Sequence, residues 1–454
     1  MRLAVLLACT TAVLSTRPAL RALVHDTPTA APATAPLDDV TALLTAARGA
    51  PPVLCRLASR AIFNNMQWGS TLDAPSTPLS PTAAPTRMAL SDLPRAAFDT
   101  ALAAMRDPDA CVRELAARLV ARQRDSSIAT PLIAQLGTSD DALRALSAAT
   151  LGWSEVDAAA PALRRVLRDA AIPVRANAAW ALGRLEDGAS LASLLDLATD
   201  ASPLVRRAVI GAIGHIDSTR AVATLARVLR DDADAEVRRT AAWALGQLDA
   251  RDASSALSTA LSTDASDGVR EMAAWAIGEA EAIAATPALV KALRSDAVAR
   301  VRETAAWALG ELEAQDGADA LDAAAADDRD AQVRATAAWA LGQLEERRAT
   351  PGLLRGLRDA SAEVRTRAAW ALLQRRDPTS ATPIADALTS EQDPNTKRAL
   401  LRALVAVGGQ DTATIERLVA SADANTREWA VRALVGCGGF GPWPWPQPRP
   451  RPFP

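Results

Sequence analysis

An apolar residue or threonine followed by a base returns along this chain at an almost fixed interval. The pair stands at Val112-Arg113, Leu143-Arg144, Val174-Arg175, Val205-Arg206, Val237-Arg238, Val269-Arg270, Val301-Arg302, Val333-Arg334, Val364-Arg365, Thr396-Lys397 and Thr426-Arg427. Ten intervals cover 314 residues, a mean of 31.4, and no single interval leaves the range 30 to 32. A beat of this length marks stacked repeats, in which each unit contacts only its neighbours, so the 454-residue length sets no domain count.

The best copies read V-R-x-x-A-A-W-A-L-G, as in Val237 to Gly246 and Val301 to Gly310. With the anchor as position 0, the apolar or small residues at 0, 4, 7, 8 and 11 share one arc at 100° per residue, which predicts an amphipathic helix. A shorter apolar-periodic stretch precedes it, several times with proline at its start: Thr286-Pro287, Thr350-Pro351 and Thr382-Pro383. Each period therefore encodes two helices. Tyrosine is absent and alanine and leucine dominate the apolar content, an alphabet that favours helix. Five residues before the anchor an acid recurs: Asp107, Asp169, Asp200, Asp232, Asp264, Asp296, Asp328, Asp359 and Glu391. It can satisfy N–H groups where the second helix begins and can pair with the anchor base of its own or a neighbouring repeat, which predicts a register-setting ladder of acids and arginines.

The tandem pattern x-x-D-x-x-x-x-V-R-x-x-A-A-x-A-L-G resembles HEAT repeats, specifically the short bilin-lyase-type HEAT-like repeat, over roughly residues 90 to 437. The resemblance implies an all-α fold: an α-solenoid, a right-handed superhelix of about eleven tandem helix pairs of 31–32 residues. Departures sit at the ends. Val120-Ala121 replaces Leu-Gly in the first copy, Leu372-Leu373 lacks the glycine, and the last two anchors begin with threonine. End repeats diverge because they cap the stack.

Outside the array, Met1-Arg2 and the apolar run Leu3 to Leu14 suit a secretory signal over 1–22 and are too short to span a bilayer, so the protein is expected to be exported, periplasmic or extracellular. Residues 23–37 read as disordered and 38–66 as an N-terminal helical cap. Segment 67–94 is a Pro/Ser/Thr-rich linker, 95–437 the repeat array, and 438–454 a disordered tail. Beyond the signal, Cys55, Cys111 and Cys437 remain. Cys55 and Cys111 either bridge the cap to the first repeat or are two buried apolar thiols.

Six tryptophans occupy position 6: Trp180, Trp243, Trp275, Trp307, Trp339 and Trp370. They lie about 140° from the centre of the apolar arc, hence on the outer side of the second helix or between consecutive second helices. The resemblance puts second helices on the concave face. Two readings follow: the indoles floor a groove that grips an extended peptide, or each ring cements its helix to the next. Around them, position 2 carries Arg207, Arg239, Glu271 and Glu303, and position 10 carries Arg184, His215, Gln247, Glu279, Glu311 and Gln343. This face is basic towards one end and acidic towards the other, so a ligand would be dipolar. In the tail, proline fills every even position from Pro442 to Pro454, interleaved with Trp443, Trp445, Gln447, Arg449, Arg451 and Phe453. That alternation forbids helix and favours polyproline II.

With 50 basic and 53 acidic side chains the chain has no general attraction for nucleic acid. Iron-dependent deoxyhypusine hydroxylases resemble the architecture but hold metal through His-Glu pairs, whereas His25 and His215 are followed here by Asp26 and Ile216. No P-loop, nucleophile elbow or paired-cysteine metal motif occurs. The reading is a non-catalytic protein- or peptide-binding scaffold using the concave face, with no cofactor, no metal and no membrane span. The alternatives are a bilin-lyase-like enzyme or enzyme accessory, and a sensor or regulatory module for a membrane peptidase or receptor.

Overall fold

A computed structural model describes residues 37–62, 93–123, 128–407 and Arg427. The signal expected over 1–22, the linker as far as residue 92, nearly all of the eleventh expected repeat and the proline-rich tail lie outside the described residues. Within them the chain is an α-solenoid with no strand. Two helices, α1 (Leu37–Ala47) and α2 (Pro52–Ile62), precede ten stacked pairs. The second helices are α4 (Ala110–Ala121), α6 (Asp141–Ser154), α8 (Ile172–Arg184), α10 (Pro203–His215), α12 (Ala235–Gln247) and α14 (Asp267–Glu279). The series continues with α16 (Ala299–Glu311), α18 (Ala331–Gln343), α20 (Ala362–Arg375) and α22 (Pro394–Ala406). The first helices, odd-numbered from α3 (Arg95–Ala104), are shorter; α11 (Val222–Asp231), α13 (Ser254–Thr263) and α17 (Ala318–Asp327) are typical.

Local chemistry sets the helix starts. The Asp234 carboxylate accepts from the N–H groups of Glu236 and Val237, and Asp109, Asp330 and Asp393 cap α4, α18 and α22 in the same way. In α8 and α10, which lack such a cap, proline opens the helix, at Pro173 and Pro203. The arc at positions 0, 4, 7 and 8 is the core: Val301, Ala305, Ala308 and Leu309 are wholly buried. At position 12 the chain turns through the left-handed region on a side chain rather than a glycine, at Glu155, Glu186, Asp217, Asp249, Glu281, Glu313 and Arg376, with φ between 46° and 53°.

The acids and arginines form a ladder that runs from each repeat to the next. Arg238 donates from Nε and Nη2 to the two carboxylate oxygens of Asp264 at 2.8 and 2.9 Å, and from Nη1 to the carbonyl of Asp232 in its own repeat at 2.9 Å. The same geometry joins Arg144 to Asp169, Arg175 to Asp200, Arg206 to Asp232, Arg270 to Asp296, Arg302 to Asp328, Arg334 to Asp359 and Arg365 to Glu391. Each carboxylate also accepts an N–H two residues on, so Asp264 holds Ser266 while it holds Arg238. One guanidinium thus fixes two consecutive interhelical turns, and a slip of one residue would break both contacts.

The helical cap continues this logic. Asp107, the first ladder acid, has no preceding repeat and receives Arg48 at 2.5 Å, while the Gly49 N–H reaches Asp109 at 2.9 Å from a backbone φ of 72°. Of the two readings for the cysteines, the structure has the bridge: Cys55 on α2 is joined to Cys111 on α4, with 5.7 Å between their Cα atoms.

Candidate binding surface

The tryptophans are the cement of the stack. Trp180, Trp243, Trp307 and Trp339 are 2 to 5% exposed, and Trp275 and Trp370 are half-buried, so the six indoles do not make an open groove floor. Each benzo edge lies over the position-9 glycine of the preceding second helix. A Cβ built on Gly310 would meet Trp339 Cζ3 at 2.7 Å, and one on Gly246 would meet Trp275 Cζ3 at 2.8 Å. The same relation holds for Gly152 with Trp180, Gly214 with Trp243 and Gly342 with Trp370. The ring fills the volume that the missing side chain leaves, and the neighbouring position-7 alanine closes to 2.9 Å of the Gly310 site.

Where no ring follows, the seat is closed by a neighbouring helix or is not a glycine. Gly183 faces Ala212, because the residue in the tryptophan's place is Gly211, so the row is broken between Trp180 and Trp243. Where the seat is Ala121 the next repeat has Ala149, and where it is Leu373 the next has Arg402. Trp153 stands at position 10, under the Arg118 guanidinium at 3.7 Å and edge-on to Trp180 at 6.1 Å. These seats were encoded in the Leu-Gly of the motif, and the covariation of seat and ring was the signal that could have identified them.

Second helices approach one another too closely for a Cβ at these seats, while first helices α11 and α13 leave a cleft of about 660 Å³ between them, lined by Ala223, Ala226, Ala256 and Thr259 among others. The second helices therefore pack more closely than these first helices, as the inner side of a curved stack requires. What the second-helix side offers is polar. Position 10 brings Gln247, Glu279 and Glu311 to the exposed surface and Gln343 and Arg184 partly so. Arg207 is half-buried and, among the described residues, makes no ion pair; Arg239 meets Glu236 at 3.4 Å, and Arg184 pairs with Glu155. His215 packs edge-on to Trp243 at 5.2 Å; burial, then the charge of Arg184, hold its imidazole below the ordinary histidine range, so it is neutral at pH 7.

Two repeats further, the sign reverses. Burial raises the Glu271 carboxyl, although Arg300, 3.9 Å away, and Arg239 oppose the shift. Glu303 is raised by burial and then by Asp330, Glu271 and Glu363, with only the Thr336 hydroxyl acting the other way. Glu303 makes no ion pair among the described residues, and Arg300, three residues before it, is directed to Asp267 and Glu271. The surface from Arg184 to Glu311 can thus hold a negative group at one end and a positive group at the other. Among the described residues no helix is long and apolar enough to cross a membrane.

The family model for HEAT repeats matches seven overlapping stretches: 98–183, 165–246, 225–310, 254–342, 286–372, 318–405 and 350–435. Among solved structures the chain is similar to yeast importin-beta (Kap95p), with 14% identity, a TM-score of 0.56, and coverage of 88% of this chain and 60% of that one. A second Kap95p structure, bound to RanGDP, gives 14% identity, a TM-score of 0.53 and coverage of 76% and 56%. The CpcE–CpcF phycocyanin lyase complex of Nostoc sp. PCC7120 is similar at 23% identity over 51% of this chain and 95% of that one, with a TM-score of 0.33. The chain spans a little over half the length of the importin-beta chains. A comparison with curated proteins finds no match.

Proposed function

Because the chain belongs to the HEAT-repeat family, we propose that it is a non-catalytic scaffold whose inner surface, from Arg184 to Glu311, holds an extended protein segment. The carrying observation is that the fold consumes one set of charges and spares another. Every ladder arginine from Arg144 to Arg365 is satisfied by a carboxylate, whereas Glu303, half-buried on the inner face, is surrounded by acids, and Arg207 has no acid of its own. A half-buried carboxylate without a counter-ion destabilises the fold and is relieved when a partner supplies a cation. The segment therefore presents an acidic group towards α10 and α12 and a guanidinium or ammonium towards α14 and α16. Kap95p, a solenoid of similar fold, binds the protein RanGDP, which supports the class of partner. The bridge between Cys55 and Cys111 supports an oxidising compartment, in line with the export signal read at 1–22.

The test is photo-crosslinking from the inner face in the native host, with Arg207→Glu and Glu303→Arg variants in parallel. A specific partner is captured by the parent chain and lost, at least tenfold, from both variants. A captured set that is identical in all three chains removes the inner surface from the function.

A further inference from the structure

We propose that the inner surface at α14 and α16 is occupied by the chain's own C-terminal segment, Gly438 to Pro454, until a partner displaces it. This rests on the reading of that surface as the binding face and adds its regulation. Three observations meet. First, the acidic end lacks a cation where it is most buried: half-buried Glu303 makes no ion pair among the described residues, and burial, then Asp330, Glu271 and Glu363, raise its carboxyl. Second, the tail is the complementary charge. From Gly438 onward it carries Arg449 and Arg451 and no acid, on a strand whose alternating prolines leave few conformations to lose on docking.

Third, the reach fits. The HEAT-repeat match continues to residue 435, four repeats beyond α16. At about 8–10 Å between neighbouring helices that is roughly 32–40 Å along the stack. In polyproline II, at about 3.1 Å per residue, the 12 residues from Cys437 to Arg449 cover roughly 37 Å and the 14 residues to Arg451 roughly 43 Å. The two arginines arrive level with Glu303 and Glu271, whereas the basic end near Arg207 lies out of reach and would repel them.

The experiment replaces Gln447 with a photoreactive residue in the full chain, irradiates the purified protein at low concentration, and maps the products by mass spectrometry with an isotope-mixed sample to separate bonds within a chain from bonds between chains. Expected are products within one chain joining position 447 to residues 267–279 and 299–311. Their yield falls at least tenfold in Arg449→Glu/Arg451→Glu, which leaves the array untouched, and in Glu271→Arg/Glu303→Arg, and it returns when the two pairs are combined. Products between chains, products on the first-helix side, or a yield indifferent to Arg449→Glu/Arg451→Glu would each overturn the proposal. Because no outside partner is present, failure here leaves the scaffold role standing, and loss of the host partner in the earlier experiment leaves the tail result standing.

Discussion

Trp307 occupies the space that a side chain on Gly278 would fill: a Cβ there would lie 2.8 Å from Cζ3 of the indole and 3.2 Å from the Cα of Ala308. Neither atom is the free end of a flexible chain, so α14 and α16 must separate to admit a methyl group. Gly278→Ala is expected to destabilise the array by about 1–3 kcal/mol, despite alanine's better helix propensity. Combining it with Trp307→Leu should recover part of the loss, since the two residues share one volume and coupled pairs deviate from additivity by about 0.5–3 kcal/mol. Urea titrations of the four chains check this. Strict additivity would mean that ring and seat are independent.

The ladder makes stability fall with acid. Hydrogen bonds from Arg144 hold the Asp169 carboxyl below its ordinary range; at Asp264, Asp296 and Asp328 burial pushes upward, but the guanidinium and a backbone N–H outweigh it and the net shift is downward. A depressed folded value means that the contribution is complete above the unfolded aspartate value of about 3.9 and is lost as pH drops through the lower, folded value. The urea midpoint should be flat in this respect from pH 6 to about 4 and then decline steeply. Asp296→Asn strands Arg270 in a site where both partners are mostly buried, and should lower stability by about 2–3 kcal/mol at pH 6 with a smaller difference at pH 3. An equal difference at both values would refute the assignment.

How much of this was legible beforehand depends on which interaction has a period. The 31-residue beat exposed the helix pairs and the acid-to-arginine ladder, because both repeat at fixed offsets; only the direction, from Arg238 forward to Asp264 rather than to its own Asp232 carboxylate, needed coordinates. The helical wheel placed the tryptophans off the core arc correctly but could not choose between solvent and the next helix, since burial of Trp339 depends on a glycine 29 residues earlier. The disulfide was one of two open readings for the same reason: its partners are 56 residues apart. The uncompensated setting of Glu303 was illegible, because it is created by Asp330 and Glu363 in the two repeats that follow.

The left-handed turn residues offer a separate check. Glu313 sits at φ 46°, a conformation that disfavours any side chain by roughly 1 kcal/mol or more. Glu313→Gly should therefore raise the thermal midpoint, by an amount equivalent to about 0.5–1 kcal/mol, with unchanged helicity by circular dichroism. A lowered midpoint would show that the glutamate side chain contributes more than its backbone costs.

Reduction should act locally. The Cys55–Cys111 bridge closes a loop of 56 residues, for which the chain-entropy estimate is about 4 kcal/mol. Repeats contact only neighbours, so Cys55→Ser should loosen α1, α2 and α4 and leave the centre of the stack alone. Hydrogen exchange should quicken by at least tenfold over residues 37–47 and remain unchanged over 299–311. Uniform loosening along the array would show that it melts as one unit.

Glu303 is where stability and binding oppose each other. Its carboxyl is raised by burial and by three neighbouring acids, so the ionised form strains the fold and the protonated form does not. For a carboxyl shifted upward, the folded state holds its proton more tightly than the unfolded chain, and the parent protein gains on acidification through the folded value. Glu303→Gln removes the charge and keeps the shape, so it should melt above the parent at pH 8, and the gap should narrow as the pH falls and the parent's own carboxyl takes up its proton. The same substitution should weaken capture of a cationic segment at pH 8, because the neutral amide offers no charge to pair, and the effect should shrink at lower pH as the parent's carboxyl becomes neutral too. A variant that is destabilised at pH 8 would mean that a cation already serves Glu303 within the fold, and the inner surface would then have nothing to offer a partner at this position.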